Sequence, residues 1–247
     1  MDFSFHPQSP SLTITPFGCA FPSVQPGNLA RKSVRATTHD PNVTVVNHPL
    51  VGASLAILRS KTTTSADFRR ALQEVSVLLL GQASAAWETV PHEVETPLRK
   101  CMGQVLARPL VLVPILRAGL GMLDGMLALL PQAAIGHIGI YRDEKTLQPV
   151  TYFCRLPATI SEAQVVLLDP MLATGNSACQ AVAILKSNGA TRIQLICLVA
   201  CPPGVEQVRS QHPEIEIITA AIDPELNDVG YIVPGLGDAG DRYFGTE

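Results

Sequence analysis

A doubly wound α/β domain built on a mostly parallel, twisted sheet flanked by helices is what this chain predicts. Three observations carry the prediction. The run "PLVLVPIL" (109–116) is continuously apolar, as a strand covered on both faces must be, and "AQVVLLD" (163–169) and "RIQLICLVA" (192–200) read as two further buried strands. Segments of helical period alternate with them, which calls for parallel crossovers. The length of 247 residues, 47% of them hydrophobic and 16% charged, is enough to build one large domain.

The elements follow in order. Residues 1–41 are rich in Pro, Ser and Thr, with basic residues Arg31, Lys32 and Arg35, and read as a flexible N-terminal extension. The domain proper, 42–247, opens with the strand-like "NVTVV". A helix is predicted over 64–86: Thr64 and Asp67 have capping-box spacing, and Phe68, Leu72, Val75 and Leu79 share one face. After the first buried strand, "AGLGMLDGMLALL" reads as a helix ending before Pro131. "AIGHIGIYR" and "VTYFCRL" read as two strands of a hairpin arm, with "DEKTLQP" as its mobile tip. "NSACQAVAILKSNG" is a helix closed by Gly189. "GVEQVRSQHP" is a short helix, and "EIEIITAAID" a further strand. The tail "GYIVPGLGDAGDRYFGTE" carries five glycines in 18 residues and reads as a loop that follows a particular path rather than packing a core.

Several classes of protein are disfavoured. The net charge of −3, with no run of five like charges, is not the footprint of a nucleic-acid binder. No apolar run reaches the 18 or more residues of a membrane span. No secretory leader is evident, and sparse Arg without an amphipathic pattern argues against a transit peptide. The six cysteines form no CxxC pair, and Cys154, Cys179 and Cys197 lie in apolar segments, which suggests reduced, buried thiols in a cytoplasmic protein. Metal-ligand spacing and GxxxxGK[ST] are both lacking.

Ligands of such sheets bind beyond the carboxyl ends of the strands. Loops leave those ends after Leu116, Leu168 and Asp223. In "DPMLATGNSA" (169–178), Thr174, Gly175, Asn176 and Ser177 stand where a helix begins, with unpaired N–H groups and a positive dipole. That suits a monophosphate, although capping by Thr174 or Ser177 would explain the same residues without a ligand. Asp169 could accept hydrogen bonds from sugar hydroxyls. Arg117 has the fork geometry for phosphate oxygens. Arg142 and Lys145 are either a solvated hairpin tip or a lid over an anion. The tail's glycines, with Asp238 and Asp241, could read a small planar ring through backbone groups. Trp87 reads as core or interface, and His92–Glu93 has no HExxH partner.

Taken together, "VPILRAGLGM", "GIYRDEKTLQPVTYF", "LLDPMLATGNSA" and "GYIVPGLGDAGDRYFGT" resemble the uracil phosphoribosyltransferases, over a stretch from about Val43 to the C-terminus. The resemblance implies a type I phosphoribosyltransferase fold with a hairpin lid and a C-terminal hood. It implies transfer of a phosphoribosyl group from phosphoribosyl diphosphate (PRPP) to uracil in pyrimidine salvage, with Mg2+ held mainly by PRPP and water. Arg117 and Arg142 would contact diphosphate. Asp169, Pro170, Met171, Leu172, Ala173, Thr174, Gly175, Asn176 and Ser177 would hold the ribose and its phosphate. Ile232, Gly237, Asp238 and Ala239 would bind uracil, with Asp238 also near PRPP and, alongside the two arginines, catalytic. A homo-oligomer (dimer or tetramer) and a GTP effector are also within what the family allows. Asp169–Pro170 replaces the paired acids of most type I members, as is typical of the uracil branch. Asn176 stands where the family has Gly. Because Asn tolerates the left-handed conformation, the loop can keep its shape. The alternative function is a PRPP- or UMP-binding regulator without turnover.

Overall fold

The computed structural model describes residues 40–142 and 149–246. Its strands are β1 (Val43–Val45), β2 (Thr89–Glu95), β3 (Lys100–Leu106), β4 (Leu110–Leu116), β5 (Ala134–Ile135), β6 (His137–Arg142), β7 (Pro149–Arg155), β8 (Gln164–Leu168), β9 (Met171–Leu172), β10 (Arg192–Ala200), β11 (Glu216–Ile222), β12 (Glu225–Leu226) and β13 (Ile232–Val233). Its helices are α1 (Pro49–Arg59), α2 (Ser65–Ser84), α3 (Leu120–Leu129), α4 (Asn176–Ser187), α5 (Pro202–Gln211) and α6 (Ala239–Phe244). The main sheet runs β1-β11-β10-β8-β4-β6-β7 and is parallel except for β7, which turns back antiparallel on β6. The predicted doubly wound α/β class is thus the observed one.

Strand alternation sends successive side chains to opposite faces. Val111, Val113 and Ile115 of β4, with Val165 and Leu167 of β8, pack in one core with α4 and α5. Leu112, Val166, Leu168, Ile196 and Leu198 pack in the other, against α1, α2 and α3. Because both faces are covered, the strands read as unbroken apolar runs.

The capped helix α2 forms as its sequence predicts. Thr64 accepts from the Asp67 amide at 3.2 Å, and Phe68, Leu72, Val75 and Leu79 are buried. Asp67 differs from a full capping box in accepting the Thr64 hydroxyl itself, at 2.9 Å. Trp87 is half-buried and donates to Gln194 Oε1 at 2.7 Å.

Four features depart from the sequence expectation. Helix α1 was not anticipated, yet His48 caps it and Pro49 occupies its first turn. The antiparallel pair β2–β3, which carries His92 and Glu93, stands apart as its own two-stranded sheet. The tail is not all loop: β13 pairs with β12, and α6 closes it, capped by Asp238. Cys154 is exposed, because β7 is an edge strand, whereas Cys179, Cys197 and Cys201 are buried. Burial pushes the Cys197 thiol up to about 12. The tip of the β6–β7 arm, including Lys145, lies outside the described residues, as does the extension up to residue 39.

Candidate active site

The loops that follow β4 and β8 meet the segment between β12 and α6 around a cavity of about 310 Å³. This is the carboxyl edge of the parallel strands, where the fold leaves backbone groups free of the ladder. Of the residues singled out from sequence, Asp169, Met171, Leu172, Ala173, Thr174, Gly175 and Ser177 line it from the β8 side. Arg117 lines it from the β4 side, and Ile232, Gly237, Asp238 and Ala239 from the hood.

The end of the cavity at the start of α4 is shaped by Gly175. It takes φ 81°, and a Cβ there would lie 2.7 Å from the Gly204 carbonyl oxygen, so only glycine fits. It is the N-cap of α4, and no side chain caps the helix. The ordinary-cap explanation for Thr174 and Ser177 therefore fails. The first N–H groups of α4 are without a side-chain cap, the arrangement that favours an anion.

Asn176 is not the left-handed residue of this loop. It is the first residue of α4, and its side chain turns to α5, accepting from Gln207 Nε2 at 3.4 Å. Its side chain does not line the cavity, and neither does Pro170. The Pro170 carbonyl instead accepts from the Leu198 and Val199 amides at 3.0 and 3.1 Å, tying the turn after β8 to β10.

Asp169 ends β8 and faces the cavity with few partners. Its amide donates to Ile196 O, and its carboxylate accepts weakly from the Met171 amide at 3.5 Å. Burial pushes the carboxyl up to about 7, against a smaller opposing pull from that amide. Arg117 follows a cis peptide after Leu116. Its guanidinium donates to Asp241 Oδ1 at 2.9 Å and sits 5.8 Å over the Phe244 ring, while remaining 57% exposed. Asp241 is held below the usual carboxylate range first by the Thr246 hydroxyl, then by Arg117. Asp238 accepts from the Asp241 amide at 2.9 Å. Arg142 ends β6, and its side chain lies outside what is described.

Among the described residues, no group of three or more His, Cys, Asp or Glu side chains could hold a metal ion. The oxygen donors along the wall include Asp169, Asp238 and the Thr174 and Ser177 hydroxyls, hard ligands suited to supplement a Mg2+ brought in by a polyphosphate. Arg117 is the only cationic side chain among the described lining residues. The cavity thus offers an anion one guanidinium and one helix terminus.

Residues missed from sequence frame the hood. Tyr231 lines the cavity. Arg59 and Asp223 form a double hydrogen-bonded ion pair, 2.7 Å on each side, behind it. Arg242 Nη1 reaches Leu236 O at 2.7 Å, and its Nη2 reaches Ser60 O at 2.6 Å. Asp223, like Asp169, is an acid at a strand end, and that was the one available signal.

Comparison with known proteins agrees with this geometry. The model of the family described as uracil phosphoribosyltransferase matches residues 45–246. A protein of Clostridium perfringens named uracil phosphoribosyltransferase is 54% identical over 206 residues, covering 83% of this chain and 99% of its own length. One of that name from Clostridium tetani is 52% identical with the same coverage. A solved structure of an Aquifex aeolicus protein superposes with a TM-score of 0.78 at 35% identity, covering 82% of this chain and 97% of that one. The adenine phosphoribosyltransferase of Leishmania donovani, 14% identical with a TM-score of 0.52 over 74% of this chain and 84% of its own, shares the fold alone. On the strength of the matched model and of relatives more than half identical over 83% of its length, this chain belongs to the uracil phosphoribosyltransferase family.

Proposed function

We infer that the chain transfers the 5-phosphoribosyl group of PRPP to uracil, giving UMP and diphosphate. The carrying observation is the convergence of an uncapped helix terminus, a strand-end carboxylate and a backbone-rich hood on one cavity. In this reading the α4 terminus with Thr174, Gly175 and Ser177 holds the 5-phosphate. Asp169 accepts from the ribose hydroxyls. Arg117 and Arg142 bind the diphosphate that departs with the electrons of the C1′–O bond. The uracil nitrogen forms the new bond to C1′ and gives up its proton to water. Ile232, Gly237 and Ala239 seat the ring, while Asp238 fixes the start of α6 beside it. Mg2+ bound to PRPP would neutralise diphosphate charge. No observation favours a regulator without turnover, because Asn176 leaves the cavity open.

The proposal extends to organisation. Residues 1–41 are an extension of which 1–39 are dispensable for catalysis, and the working domain is 42–247. No described helix is long and apolar enough to cross a membrane. A cytoplasmic enzyme fits the buried thiols. A homo-oligomer fits the β2–β3 hairpin, and a GTP effector remains part of the proposal. The test is UMP formation from labelled uracil, PRPP and Mg2+, using the full chain and residues 40–247, which retain the Asp40–Arg209 ion pair of 2.7 Å. Both are expected to turn over at similar rates. PRPP binding without UMP would overturn the enzymatic reading, and loss of activity on truncation would overturn the extension's dispensability.

A further inference from the structure

The hood loop lies over the cavity and packs into the core on the α1–α3 side of the sheet through Ile232, Leu236 and Ala239, and at Gly235 its path is held by polar bonds as well. Gly235 takes φ 57°, and a Cβ there would sit 2.1 Å from the Ile232 carbonyl oxygen, so the turn admits no side chain. Both backbone groups of Gly235 are bound by one ion pair. Its N–H donates to Asp223 Oδ2 at 2.9 Å, and its carbonyl accepts from Arg59 Nη1 at 2.8 Å. The same guanidinium meets Asp223 with two 2.7 Å bonds. The Asp223 side chain is 7% exposed and that of Arg59 24%, so water competes little for these bonds. Arg59 is the last residue of α1, a helix that contributes no residue to the cavity lining. Ile232 and Gly237, three residues before and two after Gly235, do line it.

We propose that Arg59 and Asp223 are positioning residues for the base: they set uracil affinity by fixing the backbone of the hood at Gly235, without touching substrate. A backbone-lined pocket tells one pyrimidine from another only if its N–H and C=O groups stay within a few tenths of an ångström of place. The α4 cradle is built on other elements, so a loosened hood changes the base side and spares PRPP. Rigid bidentate geometry is essential here, which an ammonium cannot supply.

This inference rests on the reading that the hood seats uracil, and the experiment separates the two. In the full-length enzyme, Arg59→Met, Arg59→Lys and Asp223→Asn are compared with Ile232→Ala in the hood itself. Uracil and PRPP KM, kcat and melting temperature are measured for each. Arg59→Met is expected to raise uracil KM about tenfold or more while PRPP KM stays within about twofold. Arg59→Lys is expected to fall between it and the wild type, and Asp223→Asn to follow Arg59→Met. Lowered kcat with both KM values unchanged, or equal rises in both, marks a merely structural pair and overturns the proposal. Should Arg59→Met not fold, the same split is read from Arg59→Lys. If Ile232→Ala raises uracil KM and the Arg59 and Asp223 variants do not, the positioning role alone fails. If Ile232→Ala also leaves it unmoved, the hood reading fails with it.

Discussion

Asp169 bears the most perturbed carboxyl facing the cavity, and its consequence runs through pH. Its carboxyl, raised to about 7 by burial, binds a proton in the folded chain where the unfolded chain, at 3.8, does not. The free protein therefore loses stability as pH rises from about 4 to about 7, the window in which only the folded state is protonated. A ribose hydroxyl donor or a Mg2+ at this carboxylate favours the charged form and pulls the value down. Mg–PRPP binding should then release a proton near neutrality and tighten as pH rises from about 6 to about 8. Asp169→Asn should remove this component and leave only the titration of PRPP itself. Calorimetry in buffers of different ionisation enthalpy checks the proton count, and equal release by wild type and variant would refute the role. Gly175 yields a second test. Alanine there must adopt a left-handed backbone and meet the Gly204 carbonyl at 2.7 Å, costing about 1–3 kcal/mol and displacing the start of α4. Gly175→Ala should raise PRPP KM by about tenfold with a smaller effect on uracil KM, as steady-state titration of each substrate would reveal.

At the scale of elements, legibility tracked burial. β4, β8 and β10 were visible as apolar runs because each is covered on both faces, and the loops beyond them were visible because Arg117, Asp169 and the Thr174–Ser177 cluster break those runs abruptly. α2 was legible from its cap and period. α1 was not, since Pro49, Gly52 and Ser54 interrupt its apolar pattern, and its buried face is only Val51, Ser54, Leu55 and Leu58. β2 and β3 were invisible for the opposite reason: with both faces exposed they carry no two-residue alternation. α6 hid among glycines, one of which, Gly245 at φ 68°, ends the helix in the left-handed conformation. The partnership of Arg59 with Asp223, 164 residues apart in the chain, had no local signature at all. Sequence pattern thus exposed the cavity's lining but not the frame that holds it, because lining residues are chosen by chemistry and frame residues by distance in the fold.

For the whole molecule the open question is what the β2–β3 hairpin does. Its strands make contact with each other through a full ladder from Thr89↔Leu106 to Glu95↔Lys100, yet Val90, Val94, Leu98, Met102, Val105 and Leu106 are all exposed, Leu98 by 94% and Met102 by 66%. A two-stranded hairpin alone is marginal in water, and the Glu93–Lys100 ion pair of 2.8 Å, itself largely exposed, adds little. Val94, Leu98 and Met102 lie toward the turn, Val90, Val105 and Leu106 toward the base, and none of the six belongs to a core cluster. The proposed homo-oligomer supplies the missing surface if each copy lays its hairpin on another. Fully burying a Leu or Met contributes about 1.5–3 kcal/mol, so replacing both Leu98 and Met102 by Glu should weaken association by at least about a hundredfold. Light scattering over a range of concentrations should then find the wild type above the 26.4 kDa chain mass and Leu98→Glu/Met102→Glu at it. Circular dichroism should find the variant folded, since neither residue belongs to a core cluster. A wild type that is monomeric throughout, or a variant of unchanged mass, would remove the hairpin from the assembly.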